Sequence, residues 1–310
     1  MAAKVILNPY AGRWMALKRK AEVEQALKNT AVEYDLVVTS APGEGIELAA
    51  RSVEQGFSPI IAAGGDGTIS EVVNGMARAT NCGSDLPSVL GIFPLGSAND
   101  LVDNLALPKD LNAAAQVISQ GHFRNLDLCQ VNERYFDNNA AVGLEPYITL
   151  IQQKIKRLRG VIRYLVATLK GIYDKPEWIM QLEWENGSYE GPTSLVTVGN
   201  NPRTGGLFYV TPNADPQDGR LTFVYGYVRS RREMLRVLPM IMKPGQGNYI
   251  EHPAIHEVQT RWLRIHSQIP TPMHADGEIQ NLGIKDLVFN IHPGRLPVLL
   301  PVDNGKPGRK

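Results

Sequence analysis

Two cysteines in 310 residues, Cys82 and Cys129, leave no material for a disulfide framework or a four-thiolate zinc site. A reducing compartment is the simpler expectation, and any metal must be held by oxygen. Long apolar runs are also missing. No stretch reaches the roughly 18 residues needed to cross a bilayer, and Met1 does not lead into a basic segment with an apolar core and cleavage site. The chain therefore reads as cytoplasmic, with transient membrane association as its route to any lipid. Surplus charge is absent too: 32 basic residues stand against 31 acidic ones, which removes net charge as an argument for a nucleic-acid partner. There is no internal repeat, no dinucleotide fingerprint and no lysine-bearing P-loop.

What is present is a chain 43% apolar and 20% charged, enough for a substantial core and two domains of ordinary size. Lys4 to Asn8 predicts a strand closed by Asn8-Pro9 and Gly12, followed by a helix over 14–28. Strands at Tyr34 to Thr39, Pro59 to Ala63 and Val89 to Phe93 alternate with helices at 46–55, after Gly67 and at 111–120. Thr68-Ile69-Ser70-Glu71 has the spacing of a capping box. Such alternation predicts a parallel sheet covered on both faces.

After residue 126 the pattern changes. Leu126 to Val131, Tyr135 to Val142, Ile179 to Trp184, Ser194 to Val198, Gly206 to Val210 and Leu221 to Val228 read as strands between Asn, Gly and Pro turns. Ala254 to Thr260, Leu263 to His266 and Lys285 to Asn290 add more, so the second domain is antiparallel. Helical inserts are expected at 146–171 and 230–240, and from near Pro293 a tail whose end is loose. The first part carries 10 basic and 13 acidic residues and the remainder 22 and 18. The near-zero total thus hides an acidic first part and a basic second one.

In the first domain, Gly64-Gly65-Asp66-Gly67-Thr68 joins an apolar strand to a helix, where exposed N–H groups favour phosphate oxygens. Asp66 would repel a bare phosphate unless a divalent cation lay between them. A plain tight turn is the alternative. Pro94-Leu95-Gly96-Ser97-Ala98-Asn99-Asp100 follows the next strand, while Asn8 and Thr39 end the two earlier ones. Four polar loops on one edge of an open parallel sheet favour a nucleotide crevice, although Asn8, Asn99 and Asp100 also suit helix capping.

In the second domain, Asp215 and Asp218 precede Gly219-Arg220 in a stretch that suits either a hard-cation loop or an acidic turn. Asp276 and Glu278 flank Gly277, so one carboxylate can accept a proton while the other supports a cation. The same residues also spell an Asp-Gly hairpin turn. His274 is a second candidate base or a surface hydrogen-bonding group. The insert 148–170 carries Lys154, Lys156, Arg157, Arg159, Arg163 and Lys170 with no acid, interleaved with Ile and Leu. It can lie at an anionic lipid surface or pack on its own domain. Arg229, Arg231, Arg232 and Arg236 can widen that basic surface, and Tyr173, Trp178 and Trp184 are expected in the core.

These islands, in this order, resemble the diacylglycerol kinase catalytic-domain family, particularly its soluble bacterial lipid-kinase branch, which is similar to sphingosine and ceramide kinases. Asn8-Pro9 with Ala11-Gly12 resembles the opening nucleotide loop, Gly64 to Thr68 the Gly-Gly-Asp-Gly-Thr signature, and Glu71 to Gly75 its continuation. Pro94 to Asp100 is similar to the family's Pro-x-Gly-Thr-x-Asn-Asp segment, with Ser97 in place of threonine. Gly-Gly-Asp-Gly alone also resembles NAD kinases and phosphofructokinases; the late Asp-Gly-Glu and the Ala-Asp-Pro-x-Asp-Gly loop point to the lipid-kinase branch.

The resemblance implies an α/β N-terminal nucleotide-binding domain over 1–126 with a parallel sheet. It also implies an antiparallel β-sandwich C-terminal domain over 127–290 with helical inserts, and 291–310 packing back on the first. ATP in the cleft, Mg2+ and a lipid acceptor at a membrane surface follow from it, within phospholipid biosynthesis. Asn8, Pro9, Thr39, Gly64, Gly65, Asp66, Gly67, Thr68, Ser97, Ala98 and Asn99 are the nucleotide-binding residues it implies. Asp276 corresponds to the catalytic base, Glu278 and Asp66 to residues supporting the catalytic magnesium, and Asp218 with Asp215 and Arg220 to a separate magnesium loop. Glu145 receives no role. The sequence leaves oligomeric state open, a homodimer included.

Overall fold

The computed structural model describes residues 2–80, 86–97, 99–155, 158 and 160–302. The chain divides into two compact units, Met1–Leu126 with Gly294–Lys310, and Asp127–Pro293.

The first unit runs β1 (Ala3–Leu7), α1 (Ala11–Trp14), α2 (Lys20–Asn29), β2 (Tyr34–Val38), α3 (Glu44–Glu54), β3 (Ile60–Gly64), α4 (Asp66–Ala79), β4 (Leu90–Pro94), α5 (Asp100–Asn104), α6 (Leu111–Gln120). Its strands pair in parallel in the order β2-β1-β3-β4. β3 and β4 are buried at every position, as a sheet covered on both faces requires. α3 packs on α4 and α2 on α6, and Leu7, Ile61 and Phe93 meet Val23, Leu27 and Ile118 in the core. α6 stops cleanly at both ends: Asp110 accepts a hydrogen bond from the Ala113 N–H at 2.9 Å, and Gly121 closes it at φ +65°.

Two expectations fail in this unit. The single helix over 14–28 is α1, a 3-10 turn at Leu17–Arg19 and then α2; Trp14 sits at φ +70°, which no continuous right-handed helix allows. The capping box is absent because α4 begins at Asp66, which places Thr68 inside the helix. Glu71 instead accepts hydrogen bonds from the N–H groups of Gly43 and Gly45, at 2.8 and 3.0 Å, and so ties α4 to the start of α3.

The second unit follows β5 (Phe123–Val131) with β6 (Arg134–Phe136), β7 (Asn139–Gly143), α7 (Leu144–Lys154), α8 (Gly160–Asp174), β8 (Trp178–Trp184), β9 (Gly187–Thr193), β10 (Leu195–Gly199), β11 (Leu221–Gly226), α9 (Arg231–Val237), β12 (Ile255–Thr260), β13 (Trp262–Ala275) and β14 (Glu278–Leu299). Its strand pairs are antiparallel. One row runs β12-β11-β10-β7-β13. β13 pairs with β8 over Leu263 to Ser267 and, after register shifts, with β7 over Met273 to Ala275. A strand that changes partner at bulges serves both layers of a sandwich. Phe136, Met180, Phe223, Ile265 and Phe289 fill the space between the layers. The end of β14 lies in the first unit, where Val298 pairs in parallel with Leu90 of β4.

Several strand and helix expectations change here. Tyr135 to Val142 is two strands, broken at Asp137 and Asn138. Gly206 to Val210 is not a strand; only an isolated bridge joins Thr204 and Phe208. β9 falls where the sequence predicts a turn between two strands; its Gly187, Gly191 and Pro192 are tolerated since among the described residues it pairs with β8 alone. The long insert is two helices, with Lys156, Arg157 and Arg159 outside the described residues. Tyr173 is 70% exposed, not core, whereas Trp178 is buried.

Candidate active site

Parallel strands bring their C-terminal ends to one edge, and the polar residues of the first unit follow from that. Asn8 comes after β1, Thr39 after β2, Gly64 ends β3 and Pro94 ends β4. Asn8 donates through Nδ2 to Thr68 Oγ1 at 3.1 Å and accepts from the Tyr10 N–H across Pro9 at 2.9 Å. Thr39 is buried, and its N–H donates to the Leu7 carbonyl. Gly64 has no room for a side chain, since a Cβ there would lie 2.2 Å from Thr68 Oγ1. Asn99, at φ +56°, brackets Gly96 by accepting from its N–H at 3.0 Å and donating to its carbonyl at 3.1 Å. Ser97 is exposed, and Ala98 lies outside the described residues.

Asp66 and Gly67 begin α4 just after Gly65, where the positive end of the helix favours an anion, and the Thr68 and Ile69 N–H groups donate to the Gly65 carbonyl at 2.9 and 3.0 Å. Asp66 occupies its first turn and accepts from the Leu101 N–H at 3.4 Å. Burial pushes its carboxyl up, while backbone N–H groups of Asp100, Leu101 and Asn99 act against that shift. A divalent cation would offset the same penalty.

In the second unit Asp276 sits at the tip of the β13–β14 hairpin in the left-handed region, φ +48°, followed by Gly277 at φ +77°. The hairpin-turn reading is therefore right as geometry, yet the turn is only 8% exposed at Asp276. The break between β6 and β7 explains this. The N–H groups of Asp137, Asn138 and Asn139 donate to the Asp276 carboxylate at 3.4, 3.0 and 3.3 Å, and the Asp276 N–H donates to the Asn139 carbonyl at 2.8 Å. Glu278 opens β14 opposite Ala275 and is exposed.

Asp215 and Asp218 cap their own loop, accepting from the N–H groups of Gln217 at 3.0 Å and Arg220 at 2.8 Å. Asp127, which sequence reasoning missed, is buried and accepts from the Gly219 N–H at 2.7 Å. Burial, then the charges of Asp215 and Asp127, push the Asp218 carboxyl up. Cys129 reports the same concentration of charge: burial and then Asp127, Asp276, Asp218 and Asp137 push its thiol up. Among the described residues no three His, Cys, Asp or Glu side chains form a metal cluster. These carboxylates nevertheless fit a hard cation completed by backbone oxygens and water, the share Arg220 would supply; its side chain turns to Glu185 at 3.6 Å.

Sequence reasoning also missed an apolar cavity of about 100 Å³ in the second unit, lined by Ile148, Tyr164, Ile172, Val228, Met234 and Ile255 among others. Its polar wall includes Glu145, whose Oε1 lies 3.1 Å from His274 Nε2. His274 is not at the surface but 2% exposed. No sequence signal joins residues so far apart; β13 and α7 bring them together.

Residues 2–131 match the diacylglycerol kinase catalytic domain, and residues 138–300 match the YegS C-terminal NAD kinase beta sandwich-like domain. The chain is similar to the diacylglycerol kinase of Staphylococcus saprophyticus subsp. saprophyticus, 29% identical over 89% of this chain and 88% of that one. It is 28% identical to that of Staphylococcus haemolyticus over 89% and 82%. A crystal structure of a diacylglycerol kinase from Bacillus anthracis str. Sterne superposes with a TM-score of 0.74 over 97% of both chains at 21% identity, a likeness of fold.

Proposed function

The chain belongs to the diacylglycerol kinase family, and on that premise we propose that it transfers the γ-phosphoryl group of ATP to the hydroxyl of a lipid, diacylglycerol being the simplest acceptor. The observation that carries the lipid half of this reading is the apolar cavity in the unit that bears Asp276. Most of its lining is hydrocarbon, which favours acyl chain over water, with Glu145, Thr168, Ser194 and Thr197 as the polar exceptions.

In this reading Asn8, Thr39, Gly64 to Thr68, Ser97 and Asn99 hold the nucleotide and its phosphates. The acceptor oxygen forms a bond to the γ-phosphorus, the bond from that phosphorus to the β-bridging oxygen breaks, ADP leaves and Asp276 takes the hydroxyl proton. Magnesium, when bound, would offset phosphate charge; in the first unit Asp66 would support it, and in the second Asp215, Asp218 and the Arg220 carbonyl would hold a supporting ion. Purified protein with labelled ATP and separate pools of diacylglycerol, monoacylglycerol, ceramide, phosphatidylglycerol and NAD tests the assignment. Phosphorylated lipid is expected. Transfer to NAD alone would make it a NAD kinase, and ATP binding without transfer to any acceptor a noncatalytic binding protein.

Asp218→Ala is expected to raise the magnesium concentration needed for half-maximal turnover severalfold while leaving ATP affinity in place. A magnesium titration identical to wild type would reject the supporting role.

α8 supports contact with an anionic bilayer. Its inner residues Tyr164, Thr168 and Ile172 line the cavity, while Ile162, Val166, Leu169 and Tyr173 are 63, 40, 49 and 70% exposed at helical spacing. Lys170 lies 5.3 Å and Arg231 5.8 Å from the Tyr173 ring, so cations flank the apolar stripe. Replacing Ile162 and Leu169 together with serine should weaken binding to vesicles containing phosphatidylglycerol at least tenfold, since each buried side chain contributes about 1.5–3 kcal/mol. Turnover on detergent-dispersed lipid is the control: an equal loss there would mark a folding defect.

A further inference from the structure

Glu145 belongs to none of the motifs, yet it stands where the apolar cavity turns polar. Its side chain lines the wall and keeps 15% of its surface accessible. Asn139 Nδ2 and His274 Nε2 each donate to Oε1 at 3.1 Å, and Thr197 Oγ1 donates to Oε2 at 2.7 Å. A carboxylate offers about four acceptor positions, so Oε2 can take one more donor. Burial opposes its ionisation, but the His274 charge and the hydrogen bonds from His274, Thr197 and Asn139 outweigh that and hold the carboxyl below its usual range.

A second observation lies on the same wall. Ser194 is 2% exposed, lines the cavity, and its hydroxyl has no hydrogen-bond partner among the described residues. A buried hydroxyl left in this state is costly, and a polar group on a ligand would satisfy it. The wall is also tied to the candidate base through one residue. Asn139 donates its N–H to Asp276 Oδ1 at 3.3 Å and its side-chain amide to Glu145 Oε1.

We propose that Glu145, with Ser194, receives the polar end of the acceptor and selects lipids that carry a second hydrogen-bond donor, a hydroxyl or an ammonium, beside the hydroxyl to be phosphorylated. This rests on the lipid-kinase reading and moves its preferred acceptor from diacylglycerol to a lipid with a second donor. A diacylglycerol has one free hydroxyl, and its two esters only accept hydrogen bonds, so they bring lone pairs against an anionic oxygen. A monoacylglycerol or a single-chain amino alcohol offers Oε2 the donor it lacks. Ester lone pairs set against Oε2 discriminate by more than a lost contact, because they add repulsion from the carboxylate to the missing hydrogen bond.

The test compares kcat/KM on chain-matched monoacylglycerol, single-chain amino alcohol and diacylglycerol in one detergent. Wild type is expected to favour the two donor-bearing acceptors at least tenfold, and Glu145→Gln, which keeps the shape and can still accept from Asn139 and His274, to collapse that ratio through KM. A wild type without the preference, or a ratio that Glu145→Gln leaves unchanged, overturns the inference and spares the kinase reading. Absence of transfer to every lipid overturns the kinase reading, and the acceptor role of Glu145 falls with it. Should the variant fail to fold, calorimetry of the wild type with decylamine and with methyl decanoate, each at concentrations where it is dissolved as monomer, decides the matter. The amine is expected to bind at least tenfold tighter, about 1.4 kcal/mol, and equal affinities overturn the inference.

Discussion

Asp276→Asn is expected to lower phosphoryl transfer to lipid by roughly 10²–10⁴-fold, the usual contribution of a positioned general base, while the protein stays folded and binds ATP. The substitution isolates proton acceptance. Asparagine tolerates the left-handed conformation that Asp276 adopts at φ +48°, and its amide oxygen can still accept from the N–H groups of Asn138 and Asn139. What is lost is the negative charge, the basicity and the long 3.4 Å hydrogen bond from the Asp137 N–H to Oδ2, which an amide nitrogen cannot accept. Asp276→Ala would confound the experiment, because it strains the turn and leaves three buried N–H groups without their acceptor. Transfer rates by product formation, ATP affinity by equilibrium binding and thermal unfolding together check the prediction. Turnover within tenfold of wild type would remove Asp276 from the base position.

Gly96→Ala is the second large effect, and it acts on the loops after β3 and β4 that the proposed reaction assigns to the nucleotide. A methyl group at Gly96 would stand 2.4 Å from Gly65 Cα, 3.2 Å from Gly65 N and 2.5 Å from Asn99 Oδ1. The first two neighbours are backbone and cannot rotate away, so the loops after β3 and β4 must separate. Overpacking of this kind costs about 1–3 kcal/mol. Its functional cost is larger, because Gly65 immediately precedes α4 and shifts with its loop. ATP affinity is expected to fall at least tenfold, with a lower unfolding temperature. Gly245→Ala supplies the control, since a Cβ there meets nothing within 4 Å, and it should change stability by no more than about 0.5 kcal/mol. Unaltered ATP binding in Gly96→Ala would show that contact between these loops is not needed for the nucleotide.

The first unit was legible because its signals are local. Each strand is a short apolar run, each crossover a helix, and the polar residues at four strand ends share an edge by the geometry of parallel pairing alone. The capping box misled for a related reason. Thr68-x-x-Glu71 has the right spacing, but the Gly45 and Gly43 N–H groups compete for Glu71 from a helix more than twenty residues earlier. In the second unit, the break at Asp137 and Asn138 looks like a defect in an apolar run; its purpose lies in Asp276, which arrives from the far end of the unit.

By itself the sequence determined the alternation of strands and helices in the first unit, the change from parallel to antiparallel pairing near residue 126, and the polar residues that end the parallel strands. Periodicity, glycine and carboxylate chemistry are properties of neighbours along the chain. Tertiary structure alone decided that Asp276 is held by the β6–β7 break, that Asp127 joins the Asp215–Asp218 loop, and that Glu145 meets His274 at the edge of an apolar cavity. It also split the basic insert and turned Ile162 and Leu169 of α8 outward. These depend on which buried charge or N–H group finds its partner across the fold, and low dielectric makes such pairings decisive only once the surrounding side chains have excluded water.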